Sequence, residues 1–201
     1  MVRHITLVAG SNRADSQSRR IADLCSAALL AGGHTTTEII DLHAHDLPLW
    51  DPDKRTQSAR WEALWTPVSE ALSRANGFVF VVPEWGGMAP PHVKNLLLLA
   101  DQWELAHKPA LLVGISGSVG GAYPISDLRG SGYKNNRILW IPDHVVLRQV
   151  GGFHWDDAGE NSTVAMQQTR LRYGLSMLEA YADALNPIRE TVFDKGMTNG
   201  M

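Results

Sequence analysis

Apolar positions along this chain follow two rhythms that alternate. Short continuous runs rich in β-branched residues occupy 5–9, 35–40, 78–82 and 110–115. Such runs predict strands buried on both faces of a parallel sheet. Between them the apolar residues recur at helical spacing. Ile21, Leu24, Cys25, Ala28 and Leu29 form one stripe, ended by Gly32-Gly33. Trp61, Leu64, Trp65, Val68 and Leu72 form a second within 58–74, where Thr66-Pro67 reads as an N-cap and first helical residue. That stretch therefore predicts two short helices or a kink. Residues 93–103 are apolar almost all round, through Leu96, Leu97, Leu98 and Leu99, and predict a helix covered on most sides.

Beyond 115 the rhythm continues. Asp127-Leu128-Arg129 predicts a short helix closed by Gly130-Ser131-Gly132. Residues 138–141 and 145–147 predict a fifth strand region bent at Pro142, and 151–161 reads as a polar loop. Leu171, Gly174, Leu175, Leu178, Tyr181, Ala182 and Leu185 define a long last helix, stopped by Asn186-Pro187. The remainder of 187–201, through Gly196 and Gly200, reads as a frayed tail.

Five β-α alternations predict an α/β domain spanning 1–201, a doubly wound five-stranded parallel sheet of order 2-1-3-4-5 with helices on both faces. In that order strands one, three and four are adjacent, and their carboxyl ends meet at the switch point. Each of those three strands runs into a distinctive loop. The first, residues 10–19, carries Gly10, Ser11, Arg13, Ser16 and Ser18 ahead of a helix. Free amides, hydroxyls and a guanidinium there suit a phosphate, although Asp15 or Ser16 would equally serve as an N-cap without any ligand. Neither G-x-G-x-x-G nor G-x-x-x-x-G-K-[ST] is present, which disfavours a dinucleotide-binding fold or a P-loop NTPase. The second loop, from Pro83 to Pro91, has a stiff proline, Trp85 and two glycines. The third, Ser116-Gly117-Ser118-Val119-Gly120-Gly121, offers bare backbone. Anion donors, an aromatic and exposed backbone in one crevice suit a phosphorylated, flat, aromatic cofactor.

Composition narrows the partners. A net charge of −3 gives no footing to nucleic acid. One cysteine rules out an intrachain disulfide and fits a reducing compartment. Cys25 falls on the inner helix face, where an inert thiol is expected. No apolar run is long enough to span a membrane and no signal-peptide pattern opens the chain, so the cytoplasm is the expected location. His43 and His45 stand in the 41–53 loop without a third ligand at metal-site spacing and read as exposed loop residues.

The three loops, in order, resemble the NAD(P)H-dependent FMN reductase family, whose members include flavodoxin-like quinone, azo-dye and chromate reductases. Gly10-Ser11-Asn12-Arg13-Ala14-Asp15-Ser16-Gln17-Ser18 is similar to the family's G-S-x-R-x-x-S-x-N. Pro83-Glu84-Trp85-Gly86-Gly87-Met88-Ala89-Pro90, with Lys94-Asn95, is similar to P-E-Y-N-G-S-x-P…K-N. Gly117-Ser118-Val119-Gly120-Gly121 with Leu128-Arg129 is similar to the third loop. The resemblance implies a flavodoxin-like fold, FMN as cofactor, and NADPH or NADH as transient hydride donor. It implies that Ser11, Arg13, Ser16, Gln17 and Ser18 hold the FMN phosphate. Pro83, Glu84, Trp85, Gly86 and Gly87 would then contact the isoalloxazine edge, and Ser116, Gly117, Ser118, Gly120 and Gly121 its other side. It also implies a homodimer or homotetramer, for which the apolar helix around Val93–Trp103 is the natural contact. Ser18, Trp85, Gly86 and Met88 depart from the family's Asn, Tyr, Asn and Ser, and Gly130, Gly132, Asn135 and Asn136 replace an apolar helix.

The expected chemistry is hydride uptake at FMN N5 followed by ping-pong delivery to a small acceptor, with no side chain acting as acid or base. Trp85 would stack on the incoming ring or wall the pocket. A flavodoxin-type electron carrier, or an FMN-binding module without turnover, are the competing readings.

Overall fold

The computed structural model describes residues 2–56, 58–156, 162–194 and 196–197. Five strands, β1 (Arg3–Ala9), β2 (Thr35–Asp41), β3 (Gly77–Pro83), β4 (Pro109–Ile115) and β5 (Leu139–Leu147), form one sheet in the order β2-β1-β3-β4-β5. Every neighbouring pair is parallel. The central strands β3 and β4 are buried almost throughout, as their unbroken apolar sequences require. Strand periodicity then divides the core. Phe78, Phe80 and Val82 face one layer with Trp61, Val68, Val93 and Leu96. Val79 and Val81 face the other with Ile21, Cys25, Leu171 and Leu178. The helices α1 (Gln17–Ala31) and α6 (Ser162–Thr191) cover that second face. The first is covered by α2 (Ala59–Arg74), α3 (Pro91–Leu99), α4 (Gln102–Leu105) and α5 (Tyr123–Arg129).

Four local expectations change. Helix α2 runs through Pro67 as one element, which leaves a kink and not two short helices as the open alternative, with Trp61, Trp65, Val68 and Leu72 all buried on its inner side. Asn186-Pro187 does not stop α6, which continues to Thr191. The last turn is held from outside: Arg189 Nη1 donates to the Ala106 carbonyl at 2.9 Å, and Asn76 Nδ2 donates to Asn186 Oδ1 at 3.2 Å. Tertiary contacts there outweigh the hydrogen bond that a proline removes. The expected frayed tail is thus helical at its start; Gly200 lies outside the described residues, as do 157–161 of the 151–161 loop.

The stretch 93–103 is two helices. Ala100 is extended and Asp101 caps α4, its side chain accepting from the Trp103 amide at 2.8 Å while Glu104 Oε2 accepts from the Asp101 amide at 2.9 Å. Val93, Leu96, Leu97 and Leu99 are buried by this chain's own sheet and loops, so their apolar character needs no partner subunit. Leu98 and Trp103 are the exposed large apolar side chains of that stretch. The bend expected at Pro142 is present as an irregular register, with Ala110 opposite Trp140 and Leu112 opposite His144.

Candidate functional site

A cavity of about 350 Å³ opens at the carboxyl ends of β1, β3 and β4. Ser11, Arg13, Ser16, Gln17 and Ser18 line it from the first loop, Pro83, Glu84 and Trp85 from the second, and Ser116 and Gly117 from the third. Segments far apart in the chain meet there because the parallel order brings those three strand ends side by side. Asp15, Ile115 and Val150 complete the lining. Sequence reasoning missed Val150. Its signal is topological: it follows β5, the neighbour of β4, so its loop belongs to the same rim.

The first loop is built to leave donors free. Ser16 caps α1, its hydroxyl accepting from the Arg19 amide at 3.2 Å, and Ser11 Oγ accepts from the Arg13 amide at 3.2 Å. The amides of Gln17 and Ser18, in the first turn of α1, have no acceptor within the described chain. Ser18 is 1% exposed, and its hydroxyl has no hydrogen-bond partner among the described residues. A buried hydroxyl without a partner is costly, so a native one marks a place where a partner is missing. The Arg13 guanidinium makes no hydrogen bond or ion pair among the described residues, although its charge stands on the cavity rim.

The second and third loops are tied to each other. Trp85 and Met88 pair through two backbone bonds of 3.1 Å around Gly86 and Gly87, both at positive φ (58° and 74°). This is a two-residue hairpin turn, which demands residues tolerant of left-handed backbone. Asp127 secures the next part of the loop, accepting from the Ala89 amide at 3.1 Å and from Lys94 Nζ at 2.8 Å. Its carboxyl is held below the ordinary range by those two donors, against the opposing pull of burial. Asn95 secures the 41–53 loop instead, bonding the Trp50 amide and the Pro48 carbonyl at 2.9 Å each. In the third loop the Ser116 hydroxyl accepts from the Ser118 amide at 3.1 Å, while the amides of Gly117, Val119 and Gly120 remain without protein acceptors among the described residues.

Gly86, Gly87, Ser118, Gly120 and Gly121 stand in these loops but do not line the cavity. Gly121 packs instead on Gly114, where a Cβ would come within 2.0 Å of the Gly121 carbonyl oxygen. His43, the loop histidine, holds Nδ1 2.9 Å from the Asn12 carbonyl oxygen.

The sequence matches the model of the NADPH-dependent FMN reductase family over residues 3–151. The chain belongs to that family. It is 27% identical over 122 residues to a quinone reductase of Pseudomonas putida, covering 58% of this chain and 62% of that protein. The chain thus spans less than two thirds of the length of the curated relatives it matches. An oxidoreductase from Corynebacterium diphtheriae superposes with a TM-score of 0.67 at 18% identity, over 91% of this chain and 98% of that one. FerB, a flavoenzyme NAD(P)H:(acceptor) oxidoreductase from Paracoccus denitrificans, superposes at 0.65 and 17% identity, over 92% and 98%. At those identities the likeness speaks to the fold.

The residues present fit the family's FMN. A phosphate needs donors and positive charge, and the first loop supplies a partnerless hydroxyl, free amides and an unpaired guanidinium. A larger cavity of about 520 Å³ between α2 and α4 fails the same test. Glu62, Glu70, Asp101 and Glu104 line it against Lys54, and that charge repels a phosphate.

Proposed function

We propose that this chain is a single FMN-binding domain working as an FMN-dependent NAD(P)H oxidoreductase, taking hydride from NADPH or NADH and passing electrons to a quinone-like, flavin or other small acceptor. The observation that carries the reading is the Ser18 hydroxyl, buried and partnerless on the wall of a cavity that the second and third loops also line. When bound, FMN supplies the hydride-accepting atom and the route to the second substrate, in ping-pong order. The protein's share is binding and orientation. Ser11, Arg13, Ser16, Gln17 and Ser18 take the phosphate through hydroxyls, amides and one positive charge. Pro83 and Trp85 set one edge of the ring site, and Ser116 and Gly117 the other. Gly86, Gly87, Ser118, Gly120 and Gly121 hold those loops in shape around the ring. No side chain is required to move a proton.

The same reading includes a homodimer or homotetramer, for which the exposed Leu98 (67%) and Trp103 (45%) near the Val93–Trp103 stretch are the remaining support. It includes cytoplasmic residence; no helix of the described residues is long and apolar enough to cross a membrane.

Purified protein loaded with FMN is expected to be yellow, to be bleached anaerobically by NADPH or NADH, and to recover colour on adding a quinone. Protein that takes up no FMN sinks the proposal. Uptake without bleaching by either nicotinamide leaves a flavodoxin-type carrier or a binding module in its place.

A further inference from the structure

Glu84 closes β3 and stands at the junction of two loops. Its amide donates to the Ile115 carbonyl at 3.0 Å, which continues the β3–β4 pairing. Its carboxylate turns into the third loop: Oε2 accepts from the Gly121 amide at 2.6 Å and from the Tyr123 amide at 3.3 Å. Oε1 lies 2.8 Å from where a Cβ on Gly120 would stand, so the loop presses its bare backbone against this acid. No cationic side chain among the described residues pairs with Glu84. Backbone amides are its partners, and the half-buried side chain also lines the cavity.

The rest of the third loop is pinned to β5 and its exit. The Ser116 amide donates to Leu147 at 2.9 Å, the Gln149 amide to the Ser118 carbonyl at 2.9 Å, and Arg148 Nε to the Val119 carbonyl at 2.6 Å. Glu84 supplies the pin from the opposite side of the loop. The amides left between these pins are those of Gly117, Val119 and Gly120.

We propose that Glu84 is a positioning residue: its carboxylate fixes the third loop for a bound flavin, and its uncancelled charge lowers that flavin's tendency to accept electrons. The proposal rests on the FMN reading above. It differs from the role the motif alone implies, direct contact with the ring edge, because the hydrogen bonds of the carboxylate go to the end of the third loop, at Gly121, and to the first residue of α5, Tyr123. A carboxylate accepting from amides forms charge-assisted bonds about twice as strong as neutral ones. A negative charge beside the ring disfavours adding further electrons to it.

Two variants separate length from charge. Glu84→Asp keeps the charge and withdraws the oxygens by one methylene. Glu84→Gln keeps the reach and removes the charge. Amide hydrogen exchange on the FMN-free protein reads the pin directly. We expect Gly121 and Tyr123 to exchange about tenfold faster in E84D and within about threefold of wild type in E84Q, given the strength of such bonds. FMN titration by fluorescence should show about tenfold weaker binding in E84D and about threefold or less in E84Q. The midpoint potential of bound FMN should move positive in E84Q and stay near wild type in E84D.

Unchanged exchange at both amides in E84D overturns the pin. Loss of FMN affinity in E84Q equal to that in E84D, with Gly121 still protected, overturns positioning in favour of direct flavin contact. An unchanged potential in E84Q overturns the charge effect. If wild-type protein binds no FMN, the functional reading itself has failed, and the exchange experiment still reports on the pin.

Discussion

Arg20 reaches across the rim to Phe153, its Nη1 donating to the Phe153 carbonyl at 2.7 Å from the first turn of α1. The same guanidinium donates from Nη2 to the Val150 carbonyl and from Nε to Gln17 Oε1 at 2.7 Å. One cation thus ties the cavity residue Gln17 to the loop that brings Val150 into the lining. Burial lowers the pKa of Arg20, yet it stays charged at any ordinary pH. A lysine at this position has one donor group and cannot span three acceptors fixed in a fork. Arg20→Lys is expected to lower stability by about 1–3 kcal/mol, the range for losing hydrogen bonds to a charged group. It should also weaken FMN binding without abolishing it. Urea denaturation and FMN titration check the two effects. Wild-type values in both would show that the fork holds nothing.

Ser18 and Arg13 make a sharper pair of expectations, because FMN and riboflavin differ by the phosphate alone. Ser18→Ala deletes a buried hydroxyl that has no partner. Removing an unsatisfied polar group leaves stability unchanged or raises it by up to about 2 kcal/mol. The same change removes a phosphate donor, and FMN affinity should fall about tenfold. Arg13→Ala should weaken FMN and flatten the salt dependence of its binding, since an exposed cation acts through a screened charge. Neither variant should alter riboflavin affinity. Equal losses for riboflavin and FMN would remove the phosphate from this loop.

The meeting of these loop residues at one cavity was legible in the sequence, and the reason is physical. The buried run 78–82 and its neighbours cannot lie anywhere but mid-sheet, and parallel order then brings the first three loops together. What stayed hidden depended on long-range contacts. Pro187 looked like a stop because the Arg189 bond to Ala106, 83 residues away, is invisible in local sequence. The bond from Arg20 to the Val150 carbonyl, 130 residues away, carries no local motif either, although the place of Val150 after β5 is a topological signal. The break at Ala100–Asp101 was legible: Asp101 followed by Glu104 three residues later is a capping-box signal, masked by the apolar run before it. The apolar character of that run is accounted for within the chain, which covers Val93, Leu96, Leu97 and Leu99 itself.

Cys25 is buried completely in the layer beneath α1, and burial pushes its thiol up to about 12. The reactive species is the thiolate, so almost none is present at neutral pH and none is reachable. Native protein is expected to leave a thiol reagent unreacted over hours, and to react with one equivalent in denaturant. Prompt reaction of the native protein would mean that α1 opens from the sheet far more often than its packing implies.

Lys108 carries the clearest pH expectation. It immediately precedes β4, buried, with Nζ donating to the carbonyls of Leu72 and Ser73 at 2.6 and 2.9 Å near the end of α2. Burial, with Arg189 adding to it and Glu104 opposing, lowers its pKa to about 6. A neutral amine has two hydrogens, which matches its two acceptors. In the unfolded chain the same lysine titrates near its ordinary value of about 10.4. Between those two values the unfolded state binds more protons than the folded state, so stability must rise with pH across that window. Below about pH 6 both states are protonated and the slope from this group vanishes. Glu104, raised chiefly by burial, acts in the opposite sense: from its unfolded value upward, stability falls as pH climbs through its titration. Lys108→Met should remove the rise above pH 6 while costing about 1–3 kcal/mol, because the Ser73 carbonyl loses this donor and the Leu72 carbonyl keeps only the 3.4 Å bond from the Ala75 amide. Urea midpoints at several pH values from 6 to 10, for wild type and K108M, test both statements. A wild-type profile as flat as that of the variant would mean that Lys108 is charged in the fold.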